Sequence, residues 1–186
     1  KGVEKTDRTG TGTISLFGTT IRHNMAEGFP ILTSKKMSLK SVSAELDWFL
    51  LGSTDIRDLW QNKCYIWDGD WYKRYSNSCS TPYSLEDMQQ FGMETLRTNS
   101  TLLFSKNTWD LGPIYGKQWC DFNGVDQIDN LIKDIKDNPD SRRLLVSAWN
   151  PADLPKMILP PCHYSFQCYT TELTYSERME IHKELN

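Results

Sequence analysis

Across residues 38–51 the apolar positions return every three or four residues. Leu39, Val42, Leu46, Phe49 and Leu50 share one arc, the spacing of an amphipathic helix. Gly52 supplies its stop, because a residue without Cβ takes the left-handed conformation that ends helices. A second arc of Val125, Ile128, Leu131, Ile132 and Ile135 predicts another helix, halted by Pro139. Residues 143–149 and 164–169 alternate instead, so both read as strands. Near the start, residues 13–17 and 19–25 flank Gly18 and read as a hairpin. Residues 72–108 shift to serine, asparagine, threonine and tyrosine and read as a long surface loop. It holds one short helix, residues 84–96, with Ser84 as cap and Asp87 three residues on. Early and late strands with helices between them predict an α+β fold.

The 186 residues suit a single domain, 1–186, with a real core. No apolar run nears the roughly 18 residues of a membrane span, so no membrane partner is expected. No basic-then-apolar leader is present, which points to a cytoplasmic protein. Lys1 stands where Met would begin a chain, so the N-terminus reads as incomplete or processed. The net charge of −3 argues against a nucleic-acid partner, and an anionic ligand would need a local arginine cluster. Cys64, Cys79, Cys120, Cys162 and Cys168 are odd in number and scattered. That fits a reducing compartment better than a disulfide framework or a zinc site, and no metal is expected. Asn99-Ser100-Thr101 matches a glycosylation acceptor, but without a secretory signal it carries nothing.

Candidate chemistry centres on Cys162. It follows Pro160-Pro161 just before an alternating run, and two prolines forbid a helix and remove two backbone donors. Arg142 and Arg143 also stand at a strand entrance. Guanidinium groups lower thiol pKa values and grip phosphate in a bidentate fork. A thiol with an arginine pair suggests covalent chemistry on a phosphorylated substrate. The alternative is a buried strand cysteine. Glu45 falls between Trp48 and Phe49 at the edge of its helix's apolar arc. A carboxylate there suits proton handling, or else reaches water or pairs with a lysine at the boundary. Arg8-Thr9-Gly10-Thr11-Gly12 could cradle phosphate with backbone N–H groups, or form a turn.

Several segments together resemble the folate-dependent thymidylate synthase family. They are residues 7–13, Gly28-Phe29-Pro30, residues 45–50, Ile66-Trp67-Asp68, residues 110–119, Asp126-Gln127-Ile128, residues 138–150 and residues 159–163. Their shared order makes the resemblance specific. It implies a mixed β-sheet with packed helices, and reductive methylation of dUMP to dTMP by 5,10-methylenetetrahydrofolate. Cys162 matches the nucleophile, and Glu45 the carboxylate of the proton relay. Tyr115 matches a tyrosine of the reaction cavity, and Trp67 a folate-side aromatic. Arg8 matches a phosphate ligand of the same subunit. Arg142 and Arg143 match the pair that reaches the neighbouring subunit's substrate, so a homodimer with shared sites is implied.

The chain departs from the family in three places. It ends at Asn186, where the family continues, so it reads as an N-terminal part, and residues 170–186 read as the start of a charged, helical insertion. Residues 72–108 exceed the matching loop of compact members. Ser38 stands where many members carry a histidine near the folate. Two alternatives stay open. One is a pyrimidine-nucleotide hydroxymethylase, and the other a catalytically incomplete nucleotide-binding or dimerising module.

Overall fold

The computed structural model describes residues 2–7, 10–100 and 104–184. Arg8, expected to bind phosphate, lies outside the described residues. Two compact units partition the chain, residues 1–37 and 38–186. In the first, β1 (Val3–Lys5) runs antiparallel to β2 (Thr13–Ser15), with Glu4 opposite Ile14. The hairpin expected between residues 13–17 and 19–25 does not form. Gly10 and Gly12 take φ values of 76° and 77°, which reverse the chain ahead of β2 and lay it against β1. Residues 19–24 hold no strand, and a short 3-10 turn, Met25–Glu27, follows them with Asn24 as its cap.

The second unit opens with α1 (Leu39–Leu50), where the spacing predicts it. Ser38 caps it by accepting the Ser41 N–H at 3.2 Å. The buried stripe is rotated from the expected one. Trp48 and Phe49 are buried, whereas Leu39, Val42, Leu46 and Leu50 remain exposed. The neighbours explain this. Trp48 donates to the Asp55 carbonyl at the head of α2 (Ile56–Gln61), and Phe49 lies 4.5 Å from Tyr115 at the start of α5 (Tyr115–Cys120).

Residues 72–108 are not a long loop. They contain most of α3 (Asp68–Ser78) and all of α4 (Leu85–Thr98). Ser84 caps α4 through the Asp87 N–H at 3.1 Å, as the spacing predicts. Low helix propensity misleads here because tertiary packing overrides it. Trp71 and Tyr75, one turn apart on α3, stack at 5.5 Å, and Trp71 also stacks on Trp109 at 5.7 Å.

The expected later helix is α6 (Gln127–Asp137), capped by Asp126. β3 (Leu145–Ser147) pairs antiparallel with β4 (Ser165–Gln167), Val146 opposite Phe166. Helices and small sheets make the α+β class. Among the described residues, however, the strands form two separate two-stranded ribbons instead of one mixed sheet. The 170–186 segment contains α7 (Tyr175–Glu184), opened by a capping box in which Thr174 and Glu177 bond reciprocally. No described helix is long and apolar enough to cross a membrane.

Candidate active site

Tyr115 organises the site. Its Oη accepts the backbone N–H of Cys162 at 2.8 Å and that of His163 at 3.2 Å. A phenol oxygen has two lone pairs and one hydrogen. The two amides fill the lone pairs, so the hydroxyl hydrogen is left to donate. The ring is fixed by aromatic neighbours: Phe49 at 4.5 Å, Trp119 at 6.2 Å and Trp67 at 6.3 Å between centroids. Burial pushes the phenol's pKa up; the two amide bonds pull it down, and the charges of Cys162 and Glu45 add to the rise.

Glu45 reaches the same cluster from α1. Its Oε1 accepts the Trp67 indole N–H at 2.7 Å. Burial raises the carboxyl above its ordinary 4.5, while the Trp67 bond and the charge of His163 draw it down. Desolvation leads, so the proton is held more tightly than in water. Sequence reasoning placed Glu45 at this boundary, and the structure adds its donor. His163 had no role assigned from sequence, although it stands beside Cys162. Its ring lies 5.9 Å from that of Tyr115.

Cys162 is exposed in the bend after buried Pro161. The strand-buried alternative therefore does not hold, since β4 begins only at Ser165. Arg142 and Arg143 are exposed in the turn before β3, and neither forms an ion pair among the described residues. No hydrogen bond joins either guanidinium to the Cys162 thiol, so within one chain the cluster holds Cys162, His163, Tyr115, Trp67 and Glu45 without them. The Arg142 carbonyl accepts from the Gln167 side chain at 2.9 Å, which ties that turn to β4.

A buried polar network sets the distance between Tyr115 and the loop leading to Cys162. Gln118 on α5 donates to the Pro113 carbonyl and to Asp153 Oδ2, each at 2.9 Å. Asn150 donates to Gln118 Oε1 and to the same Asp153 oxygen, each at 3.1 Å. Gln127 on α6 donates to the carbonyls of Gln118 and Ser147 and accepts the Ser147 N–H, joining α5 to β3. Buried polar groups specify one arrangement only when all are satisfied, as here. Gly116 completes the seat of α5, since a Cβ there would stand 2.5 Å from the Ser53 carbonyl oxygen.

Comparison with known proteins finds one family. The family model described as "Thymidylate synthase" matches residues 1–185, a stretch that includes residues 170–185. The thymidylate synthase of Mycoplasma mobile is 47% identical over 169 residues, 91% of this chain and 57% of that protein. That of the aster yellows witches'-broom phytoplasma is 48% identical over 169 residues, again 91% and 57%. That of Mycoplasma genitalium is 44% identical over 171 residues, 92% and 58%. The chain thus spans under three fifths of the length of these relatives.

Proposed function

The chain belongs to the thymidylate synthase family, and on that premise we propose that it acts in the reductive methylation of dUMP to dTMP. The Cys162 thiolate adds to C6 of the uracil and makes C5 nucleophilic, which is covalent catalysis. Tyr115 fixes the backbone on both sides of that thiol and offers its hydroxyl hydrogen to the reaction cavity. Glu45, with its raised pKa and its Trp67 donor, handles the proton that must leave C5. Arg8 by its place in the sequence motif, and Arg142 and Arg143 by motif and exposure, take the phosphate. Arg142 and Arg143 do so across a homodimer, which accords with their lack of ion pairs among the described residues.

The co-substrate is 5,10-methylenetetrahydrofolate, which supplies the one-carbon unit and the hydride. The residues near Trp67 fit it. Trp67 is 6% exposed and committed to Glu45, so it offers an edge, while Tyr65 and Ile66 beside it are exposed and apolar. Ser38 contributes less, since its hydroxyl is engaged in capping α1. Five free thiols fit a cytoplasmic setting.

The observation that carries the reading is the convergence of the Cys162 and His163 amides on Tyr115 Oη, one ring away from the Trp67–Glu45 hydrogen bond. The test is Cys162→Ser in the protein expressed from its whole gene. Turnover of dUMP should be abolished and dUMP binding retained. A variant that keeps more than a small fraction of turnover would overturn the assignment.

A further inference from the structure

Asp68 follows Trp67 in sequence but stays outside the Glu45 cluster. Its Oδ1 accepts the Trp60 indole N–H at 2.8 Å, and its Oδ2 accepts the Gln89 amide at 2.6 Å. The residue is 7% exposed, and no cation pairs with it among the described residues. A buried carboxylate needs such donors, since without them its desolvation goes uncompensated. Asp68 is the first residue of α3, Trp60 lies on α2 and Gln89 on α4. One carboxyl group therefore joins three helices.

The α4 side of this joint is built for contact. Gly92, one turn beyond Gln89, is so close to Trp60 that a Cβ would stand 2.6 Å from its Cζ3. Thr95, a further turn on, accepts from Arg57 Nη1 at 2.9 Å. Gln89, Gly92 and Thr95 form one stripe, the helical spacing of a docking face. The 72–108 segment, without a role in the sequence reading, is thus seated on the residue beside Trp67.

We propose that Asp68 is a positioning residue: by holding Trp60 and Gln89 from the first turn of α3, it fixes the adjacent Trp67 in the orientation that donates to Glu45, and so couples α4 to the proton-handling carboxylate. The catalytic consequence rests on the proposed role of Glu45; the coupling itself does not.

The test reads the indole N–H signals of the seven tryptophans by NMR, with Trp67→Phe assigning one of them. In Gln89→Leu the Trp67 signal should shift. The Glu45 titration midpoint, followed through that signal, should rise, because the Trp67 bond normally draws it down. His163, the other group whose charge acts on Glu45, is untouched. Combining Asp68→Asn with Gln89→Glu exchanges donor and acceptor across the same gap and should restore both readings. Thr95→Val loosens α4 from Arg57 without touching Asp68 and should leave the Trp67 signal in place. In the protein expressed from its whole gene, Gln89→Leu should lower kcat about tenfold with KM for dUMP unchanged, the scale of one weakened charge-assisted hydrogen bond. If the Trp67 signal and the Glu45 midpoint stay at wild-type values in Gln89→Leu, or Thr95→Val moves them equally, the proposal fails. These signals are read whether or not dUMP is turned over, so this failure is separate from failure of the proposed activity.

Discussion

Tyr115→Phe isolates one oxygen. The ring keeps its place 4.5 Å from Phe49, and only the shared acceptor of the Cys162 and His163 amides is lost. Each backbone hydrogen bond contributes about 1 kcal/mol net, so two contribute about 2 kcal/mol. Cys162 and His163 are exposed, so water can reach the freed amides, and the loss stays near that figure instead of the larger cost of burying an orphan donor. For a chain of 186 residues, about 2 kcal/mol lowers Tm by roughly 4–8 °C. Urea unfolding measures the loss, and amide hydrogen exchange locates it. Exchange should accelerate at residues 162 and 163 while the α5 amides stay protected. A variant as stable as wild type, with unchanged exchange at both residues, would show that Tyr115 does not hold the backbone at Cys162.

Gly92→Ala should destabilise the protein although it places the better helix former inside α4. The propensity gain is up to about 1 kcal/mol, but the new Cβ meets Trp60 at 2.6 Å, and overpacking costs about 1–3 kcal/mol. Thermal unfolding of this variant decides between the two effects, and a raised Tm would contradict the docking of α4 on Trp60. Glu45→Gln should become progressively more stable than wild type as pH rises. Burial raises the folded carboxyl's pKa above 4.5, so the wild-type contribution is whole below 4.5 and is lost as pH climbs through the higher folded value. Glutamine has no proton to lose and keeps the acceptor for Trp67. Urea titrations from acid to neutral pH measure the difference, and a difference that stays flat would place Glu45 in water.

What sequence reveals here depends on how local the determining physics is. α1, α6 and the cap Ser84 depend on spacing within one segment, and all were legible. The position of Glu45 was legible too, because it follows from angle on a helix. Which face of α1 is buried depends on α2 and α5, so the apolar arc misleads by one position. The early strand pairing turns on two glycines upstream of it, and residues 72–108 become helical through Trp71, Tyr75 and Met88 meeting a distant core. Cys162 was readable from its prolines. Its hold on Tyr115, and the ties of Asp68 to Gln89 and of Gln118 to Asp153, join residues 21 to 47 positions apart, and no periodicity reports such pairs.

The central claim is that the Cys162 thiolate bonds to C6 of the pyrimidine. Incubation with 5-fluoro-dUMP and 5,10-methylenetetrahydrofolate tests it directly, because fluorine cannot leave C5 as a cation and the adduct stalls. Mass spectrometry of the denatured protein should find the nucleotide on the peptide containing Cys162, with Cys64, Cys79, Cys120 and Cys168 unmodified. The Cys162→Ser protein should carry none. An adduct on another residue, or an unmodified Cys162 in a protein that turns over dUMP, would contradict the account.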